Sequence, residues 1–378
     1  FRDEDLRADR QPEFSQLDVE MSFPTLERIY AITEGYFARV FRACLGIELP
    51  TPFPRMSYAE AMRRYGSDKP DLRFGMELQD LIPALHESGF PLFSSAYASE
   101  RGHSIQGIVV SGGAALSRKI QDSIYDIARR RMSDFGVGML NWLKIGRETT
   151  FSKELGELTF RRLTEITASQ SGDAILIARG IPKRVVAFLG AMRVDIARHL
   201  KLIPENAYAP LWVTEFPMFE YDEEGDRYYA MHHPFTSALD EDLPLLQKAV
   251  EEGETALLGQ LRAKAYDTVI NGVEVAGGSI RIHRRDVQRL IFKALGMSEE
   301  TARERFGFFL DALEFGTPPH GGIASGIERT MMVLANTENI RDVMAFPKTA
   351  SAADLMIDAP GEVDPHMLAD LHVRIDEA

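Results

Sequence analysis

The stretch AYDTVINGVEVAGGSIRIH, residues 265–283, decides which fold this chain can adopt. Within it, the dipeptide Asn271-Gly272 separates two runs rich in apolar, strand-forming residues. This combination is a strong signal for a two-residue β-hairpin turn. The stretch therefore predicts two neighbouring antiparallel strands, and we expect a sheet of antiparallel strands in this part of the chain.

The register of the hairpin predicts two carboxylates on one face of the sheet. A two-residue turn pairs Val269 with Glu274 and places Asp267 opposite Ala276. Cross-strand partners project to the same face, so Asp267 and Glu274 are expected close enough to share a divalent cation. Oxygen ligands of this kind favour Mg²⁺. The alternative is a hairpin whose acids are incidental surface charges.

Arg281 lies near the end of the same stretch. Strict alternation places it on the face opposite to Glu274. A β-bulge at Gly277-Gly278 would shift the alternation by one residue and bring Arg281 to the face of the acids. The position of Arg281 therefore depends on the backbone between it and Glu274.

The first fourteen residues, FRDEDLRADRQPEF, combine three arginines with several acids and lead into a strand predicted over 13–23. On this strand Gln16, Asp18 and Glu20 share one face. Arginine offers a bidentate fork for phosphate, and carboxylates can bind an ammonium group or a metal. The segment indicates a ligand that carries both phosphate and amine, unless it is a solvated loop before a wet sheet face.

Two further segments are candidates for chemistry. Glycines at 317–335 lead into a helix whose first turns carry Arg329, where a cation could meet a triphosphate. The spacing fits neither a P-loop nor a dinucleotide fingerprint, so a structural turn is the alternative. His232 and His233 cannot both face one site on a regular strand, and a structural histidine is the alternative there. No His or carboxylate spacing supports a zinc site.

Periodicity and turn residues divide the rest of the chain. Apolar spacing predicts helices over about 25–44 and 58–65. The turn residues at 66–71 indicate a nearby domain boundary. Strands and helices alternate over 74–208, and long strands return from Leu211.

Composition excludes several classes of protein. The 43 basic and 57 acidic residues give a net charge of −14, which disfavours non-specific binding to nucleic acid. The single cysteine, Cys44, excludes an intramolecular disulfide and fits a reducing cytosol. No apolar run approaches the roughly 18 residues that a membrane span needs. The chain starts at Phe1 without an initiator Met, and we expect a piece of a longer protein.

Together these segments resemble a bacterial-type aspartyl-tRNA synthetase, a class II aminoacyl-tRNA synthetase. Residues 1–20 resemble the second signature motif of that class, and the GIER sequence at 326–329 resembles the third. The HHPFT sequence at 232–236 and the segments 271–281 and 339–348 are similar to stretches of aspartate enzymes. Residues 74–208 resemble the GAD domain of the bacterial type, which asparaginyl and lysyl relatives lack.

The resemblance implies an α+β fold, in which a class II antiparallel sheet flanked by helices carries an inserted α+β domain of the GAD type. It implies a catalytic domain formed by 1–73 and 209–378, separated by the insertion at 74–208. The chain departs from the family pattern at Ala276, where Gly is usual, and at Ser325, where Phe is usual. It also has Ile327-Glu328 where Leu-Asp is usual.

The resemblance assigns roles by position. Arg2 would bridge the ATP α-phosphate and the aspartate carboxylate, and Arg329 would bind the γ-phosphate; these two are the catalytic candidates. The residues expected at ATP are Arg2, Asp3, Glu4, Gln11, Phe14, Glu274, Gly326, Ile327, Glu328 and Arg329. Those expected at aspartate are Arg2, Gln16, Asp18, His232, His233 and Arg281, and those expected at Mg²⁺ are Asp267 and Glu274.

The implied reaction is ATP-dependent activation of L-aspartate to aspartyl-adenylate, followed by transfer to tRNA(Asp) alone or to tRNA(Asn) as well. The implied cofactors are ATP and Mg²⁺, and the implied assembly is a cytoplasmic homodimer. The resemblance also implies that the anticodon-binding domain and the dimer-forming first motif lie outside this chain. The alternative is a truncated or paralogous chain that binds ligands without aminoacylation.

Overall fold

A computed structural model describes residues 1–3, 7–85, 88, 93, 102–146 and 150–376. Its strands, in chain order, are β1 (Gln16–Ser22), β2 (Arg55–Ser57), β3 (Gln79–Asp80), β4 (Ser104–Val110), β5 (Met139–Lys144), β6 (Ala174–Gly180), β7 (Pro210–Thr214), β8 (Phe219–Asp222), β9 (Arg227–Ala230), β10 (Ala265–Ile270), β11 (Val273–Ile280) and β12 (His320–Gly326).

The α-helices of the described residues range from four to twenty residues in length. They are α1 (Leu26–Leu45), α2 (Tyr58–Tyr65), α3 (Ile82–Leu85), α4 (Arg118–Phe135), α5 (Thr150–Leu155), α6 (Glu157–Thr167), α7 (Pro182–His199), α8 (Leu243–Glu251), α9 (Arg285–Ala294), α10 (Glu299–Glu314), α11 (Ile327–Ala335) and α12 (Pro365–Asp370). None of the helices in the described parts of the chain combines the length and the apolar character that a membrane crossing needs.

The larger sheet has six strands in the order β1-β12-β11-β10-β7-β2. Its pairs are antiparallel except for β2, which lies parallel to β7 at one edge. The strands come from chain segments before residue 58 and after residue 209, so distant parts of the sequence build one surface. The antiparallel sheet flanked by helices confirms the predicted α+β class.

Helix α1 covers one face of this sheet. Its N-terminus is capped by Thr25, whose side chain accepts a hydrogen bond from the Arg28 amide, and Gly46 ends it in a left-handed conformation. The apolar stripe of α1 packs on Trp212 and Tyr266, both fully buried. The Trp212 indole N–H donates to Glu34 of the same helix at 2.9 Å, so this buried polar atom is satisfied. On the opposite face, Leu211 and Val213 of β7 and Val269 of β10 pack in a second core with α2, α8 and α9, so only part of that face is open.

The hairpin differs from its predicted register. Val269 pairs with Glu274, as predicted, but Asp267 lies opposite Gly277 rather than Ala276. The reason is a bulge at Val275, which turns into the core under α1 instead of taking a partner on β10. The sequence predicted a bulge at Gly277-Gly278 that shifts the alternation of side chains between the two faces. The shift occurs, but at Val275.

Two side chains, one in the third motif and one directly before it, satisfy the bulged backbone. Ser325 on β12 donates its hydroxyl hydrogen to the Val275 carbonyl at 3.3 Å. Arg329 donates to the Glu274 carbonyl at the same distance. Ser325 thus has a structural partner at a position where the sequence departs from the family pattern.

The second sheet has the order β3-β4-β6-β5 and is covered on one face by α4 and α7. All of its strands are antiparallel, and all lie within 74–208, the segment predicted as a separate domain. Strand β6 is almost entirely buried, and its Leu176 packs with Phe188 of α7. The boundaries of the domains themselves stay a prediction.

Helix α7 is also the element that joins this second sheet to the larger one. Its Arg193 is 1% exposed and donates to the backbone carbonyls of Asp71, Phe74 and Gly75 at 2.7–3.0 Å. Burial lowers the pKa of Arg193 to about 10, so the side chain remains charged at neutral pH. One buried cation therefore ties α7 to the segment that leads into the second sheet.

Candidate functional site

A cleft of about 420 Å³ lies on the face of the larger sheet opposite to α1. Five separate segments line it, four of which are those that the sequence analysis singled out as candidates for chemistry, and the fifth contributes Ile340. The predicted site residues that line it are Arg2, Gln11, Phe14, Gln16, Asp18, His232, His233, Asp267, Glu274, Arg281, Gly326, Glu328 and Arg329. Of the other candidates, Asp3 and Ile327 do not line the cleft, and Glu4 lies outside the described residues.

Small residues form the floor of the cleft. One row across four strands runs from Asp18 through Ala324 and Gly277 to Asp267. A β-carbon added at Gly277 would lie 2.8 Å from Asp267 Oδ1 and 3.4 Å from Glu274 Oε1. Both carboxylates therefore converge on the space above Gly277, which the missing side chain leaves open.

The electrostatics of this carboxylate pair suit a cation. Burial, and then the charge of Glu274, raise the pKa of Asp267 well above its ordinary value. Within the described residues, no group of three or more His, Cys, Asp or Glu side chains is arranged to hold a metal ion. Mg²⁺ nevertheless usually binds only one or two carboxylates of a protein, and phosphate oxygens and water complete its coordination shell. The residues present fit a metal that arrives with a phosphate ligand.

Arg329 extends from the first turns of α11 to the same acids. Its Nη1 lies 3.3 Å from Glu274 Oε2, and its Nη2 lies 3.7 Å from Asp9 Oδ2. Asp9 belongs to the N-terminal loop, which the Ile340 amide also contacts by donating to the Ala8 carbonyl at 2.8 Å. The guanidinium thus links the hairpin, the helix and the N-terminal loop.

The bulge brings Arg281 to the cleft face. Its guanidinium lies 3.0 Å from Glu20 Oε1 and 2.6 Å from Ser279 Oγ, and it also contacts His233 Nε2. Arginine has only donors, so His233 must present an unprotonated nitrogen to it. Burial, the charge of Arg281 and neighbouring His232 lower the pKa of His233 to about 4. His233 is therefore neutral at physiological pH.

Arg2 and Phe14 lie together at the other end of the cleft. The Arg2 guanidinium carbon is 5.1 Å from the centroid of the Phe14 ring, a cation–π arrangement. The two chain segments that carry them are joined because the Arg2 amide donates to the Pro12 carbonyl at 2.9 Å. A planar aromatic surface and a guanidinium fork are thus adjacent.

Two predicted ATP residues make backbone contacts. The side-chain amide of Gln11 forms two hydrogen bonds with the backbone of Lys348, at 2.7 and 3.3 Å. The Glu328 carboxylate accepts from the Ser15 amide at 2.9 Å. Both contacts position the N-terminal loop beside the cleft, and roles of these residues toward ATP stay predictions.

Sequence reasoning left several cleft residues without a role, among them Glu20, Ser279 and Asp9. Glu20 shares the strand face of Gln16 and Asp18, so alternation was the signal for it. Ser279 could be placed on the cleft face only if the bulge was predicted at its correct residue. Asp9 lies in an irregular loop, and no periodicity indicates its direction.

The comparison with known families decides the classification. The family described as class II tRNA synthetases (D, K and N) matches residues 1–350. This chain belongs to the class II aminoacyl-tRNA synthetases. The match confirms the family that the sequence motifs predicted.

The class II relatives most similar to this chain include several bacterial aspartate ligases. The aspartate–tRNA(Asp/Asn) ligase of Caldanaerobacter subterraneus subsp. tengcongensis is 46% identical over 379 residues, which cover 100% of this chain and 62% of that protein. The ligase of the same name from Symbiobacterium thermophilum is 48% identical, with 99% of this chain and 62% of that protein covered. The aspartate–tRNA ligase of Ruminiclostridium cellulolyticum is 45% identical, with the same coverage. This class II chain thus spans about 62% of the length of these relatives.

A solved class II structure is also similar. Entamoeba histolytica asparaginyl-tRNA synthetase in complex with asparaginyl-adenylate has a TM-score of 0.43 and 15% identity, and the match covers 93% of this chain and 52% of that chain.

Proposed function

We propose that the cleft activates L-aspartate with ATP to form aspartyl-adenylate and pyrophosphate. In the whole protein, the aspartyl group would then pass to the terminal ribose of tRNA(Asp), and of tRNA(Asn) as well. The observation that carries the proposal is the position of Arg281 on the same face as Asp18, Asp267 and Glu274. Aspartate and ATP together require a guanidinium fork for a carboxylate, an acid for an ammonium group and a carboxylate pair for a metal bound to phosphate.

Specificity for aspartate follows from charge. Aspartate and asparagine are nearly the same size, so a pocket cannot separate them by volume. The Arg281 fork would bind the side-chain carboxylate of aspartate at two points, whereas the NH₂ of asparagine would present a donor to a donor. Neutral His233 beside Arg281 adds no competing positive charge. Asp18 and Gln16, which are exposed on the cleft face, would bind the ammonium and α-carboxylate region.

Adenylate formation needs no nucleophile from the protein. The aspartate α-carboxylate attacks the α-phosphorus, the bond to the bridging oxygen breaks, and pyrophosphate leaves. Arg2 would leave the Phe14 ring to bridge the two reactants, and the adenine would stack on the ring instead. Arg329 would bind the γ-phosphate, and positioning with charge neutralisation would lower the barrier.

In this proposal, the metal ion contributes to the reaction only by its positive charge. Asp267 and Glu274 would hold Mg²⁺, which when bound supplies positive charge to phosphate oxygens. The further proposals of a homodimer and of a cytoplasmic site of action rest on the resemblance and on the role of such enzymes in protein synthesis.

The decisive experiment is exchange of labelled pyrophosphate into ATP, measured with this chain and with the longer protein. Exchange that depends on aspartate and not on asparagine is the expected result. ATP binding without aspartate-dependent exchange in either protein would instead favour a binding module without aminoacylation.

A further inference from the structure

A loop outside the three class II motifs reaches the edge of the cleft. It has the sequence GSDKPD, residues 66–71, and joins α2 to the segment that leads into the second sheet. Lys69 Nζ lies 3.7 Å from Asp9 Oδ2. The same oxygen lies 3.7 Å from Arg329 Nη2. Two cations from distant parts of the chain therefore converge on a single anionic oxygen.

This convergence marks a place for an anion. Asp9 lies in the N-terminal loop and lines the cleft beside Arg329 and Glu274. A carboxylate oxygen between two cations occupies the position that an oxygen of a phosphate chain could take, with more negative charge. Lysine binds phosphate as a point charge and needs no fixed orientation to do so. Burial, Glu274 and Asp68 raise the pKa of Asp267, while Lys69 and Arg329 oppose them, so both cations act on this one carboxylate.

The loop that carries Lys69 is held in place by neighbours on two sides. Gly66 has a left-handed conformation, and a β-carbon there would lie 2.2 Å from the Val186 carbonyl oxygen of α7. On the other side, a β-carbon at Gly272 in the hairpin turn would lie 3.8 Å from the Lys69 carbonyl oxygen. Within the loop, the Lys69 amide donates to Ser67 Oγ at 3.1 Å. The loop is thus packed between α7 and the hairpin, which limits the positions open to Lys69.

From this geometry we infer that Lys69 is a further phosphate-binding residue, which contacts the β- or γ-phosphate of ATP and the pyrophosphate product together with Arg329. Asp9 holds the two cations when no phosphate is bound. The inference rests on the proposed function for the identity of the phosphate ligand. It also gives the segment 74–208 a part in the site, because α7 supports the loop.

The test compares binding of three probes to the full chain: inorganic pyrophosphate, ATP and AMP, each with Mg²⁺, by isothermal titration calorimetry. Loss of one charged contact should weaken pyrophosphate and ATP binding of Lys69→Met by about tenfold or more. AMP, which lacks the β- and γ-phosphates, should bind with unchanged affinity. Lys69→Arg keeps the charge and should restore most of the affinity.

Lys183→Met is the matched control, because Lys183 is exposed and pairs with Glu220 outside the cleft. It should leave all three affinities unchanged. Thermal unfolding verifies that each variant folds, and Lys69→Gln replaces Lys69→Met if the latter does not. Equal pyrophosphate affinity of the folded Lys69 variant and the wild type would overturn the inference, as would an equal loss for AMP. A pyrophosphate effect without aspartate-dependent exchange would instead sustain the inference and reject aspartate activation.

Discussion

At the scale of single residues, the cleft is defined by side chains that neutralise one another before any substrate is present. Arg281 contacts Glu20, and Arg329 contacts Glu274 and Asp9. Each arginine is about one-fifth exposed, so its charge is only partly screened by water. Under the proposed function, a substrate anion would therefore replace an internal carboxylate at these arginines.

The first prediction concerns Arg281. In Arg281→Gln the bidentate partner of the aspartate side chain is lost, and Glu20 loses its cation. We expect aspartate-dependent exchange to fall by at least about 30-fold, since removal of one partner of a charged pair costs about 2–5 kcal/mol. Calorimetry should give an ATP affinity within about threefold of the wild type. Normal aspartate kinetics in this variant would contradict an aspartate site.

The second prediction concerns protonation of His233, whose folded-state pKa is about 4 against an ordinary value of 6.5. Between these values the unfolded chain binds a proton that the folded chain does not. The contribution of His233 to the free energy of unfolding should therefore fall as the pH is lowered from about 6.5 towards 4, and this contribution should be constant above that window.

NMR titration of the histidine ring signals measures this pKa, and His233→Gln identifies the signal among the nine histidines. The variant should also show a smaller pH dependence of unfolding in the same window. A His233 signal that titrates near pH 6.5 would show that His233 is neither buried nor in contact with Arg281 in solution.

At the scale of elements, strand β11 carries two adjacent glycines with different surroundings, one at the cleft and one in the core. Gly277 faces the cleft, where an added β-carbon meets the end of the Asp267 side chain at 2.8 Å. Gly278 faces the core, where an added β-carbon would lie 2.1 Å from the Gly322 carbonyl oxygen on β12. Side-chain ends can move away, whereas a backbone carbonyl within a sheet cannot.

The third prediction follows from this contrast. Gly277→Ala should fold with a melting temperature close to that of the wild type but lose binding of Mg²⁺-ATP, because the methyl group displaces the carboxylate pair. Gly278→Ala should be destabilised by about 1–3 kcal/mol or more, as overpacked cores are. Urea unfolding of both variants, with calorimetry on whichever folds, provides the comparison. Similar stability losses in the two variants would mean that the faces are misassigned.

The same strand shows what sequence could and could not predict. The turn at Asn271-Gly272 and the pairing of Val269 with Glu274 follow from local turn chemistry, and both are present. The bulge at Val275 was predicted at the wrong residues because its position depends on contacts with α1 and on Ser325 of β12, which are distant in sequence. Residues on regular strands were therefore easier to place than those beyond an irregularity.

At the scale of the whole molecule, helix α7, which covers the second sheet, contacts three segments outside that sheet along its length. Lys183 near its start pairs with Glu220, Arg193 binds three backbone carbonyls, and Arg198 near its end pairs with Glu338. The two terminal pairs are exposed and contribute little. The buried Arg193 is the contact that matters for stability, since its loss leaves backbone carbonyls without their donor.

The fourth prediction tests this connection. Arg193→Met keeps the length of the side chain but removes the donors, so hydrogen exchange of the amides in 66–78 should accelerate by about tenfold or more. Amides of β12 should exchange at the wild-type rate. Arg198→Met is the control and should change neither region. Unchanged protection of 66–78 would show that the surrounding packing alone holds the segment.

The assembly of the molecule was only partly visible in the sequence. The motifs predicted which four segments meet at one cleft, and the structure brings them together on one face. Contacts such as Asp9 with Lys69, or Gln11 with Lys348, join loops that have no periodicity, and residue pattern alone cannot pair them. The roles of the site residues and the domain boundaries stay predictions.

The floor of small residues has a consequence for how such a cleft can change during evolution. Gly277 carries no side chain and Ala324 carries only a methyl group, so hardly any mutation there can enlarge the space; nearly all of them fill it. New substrate preferences can therefore arise only by exchange of the residues at the walls, such as Arg281 and His233. A single substitution in the floor can fill the cleft and abolish the site, but successive substitutions in the floor cannot widen the cleft for a different substrate.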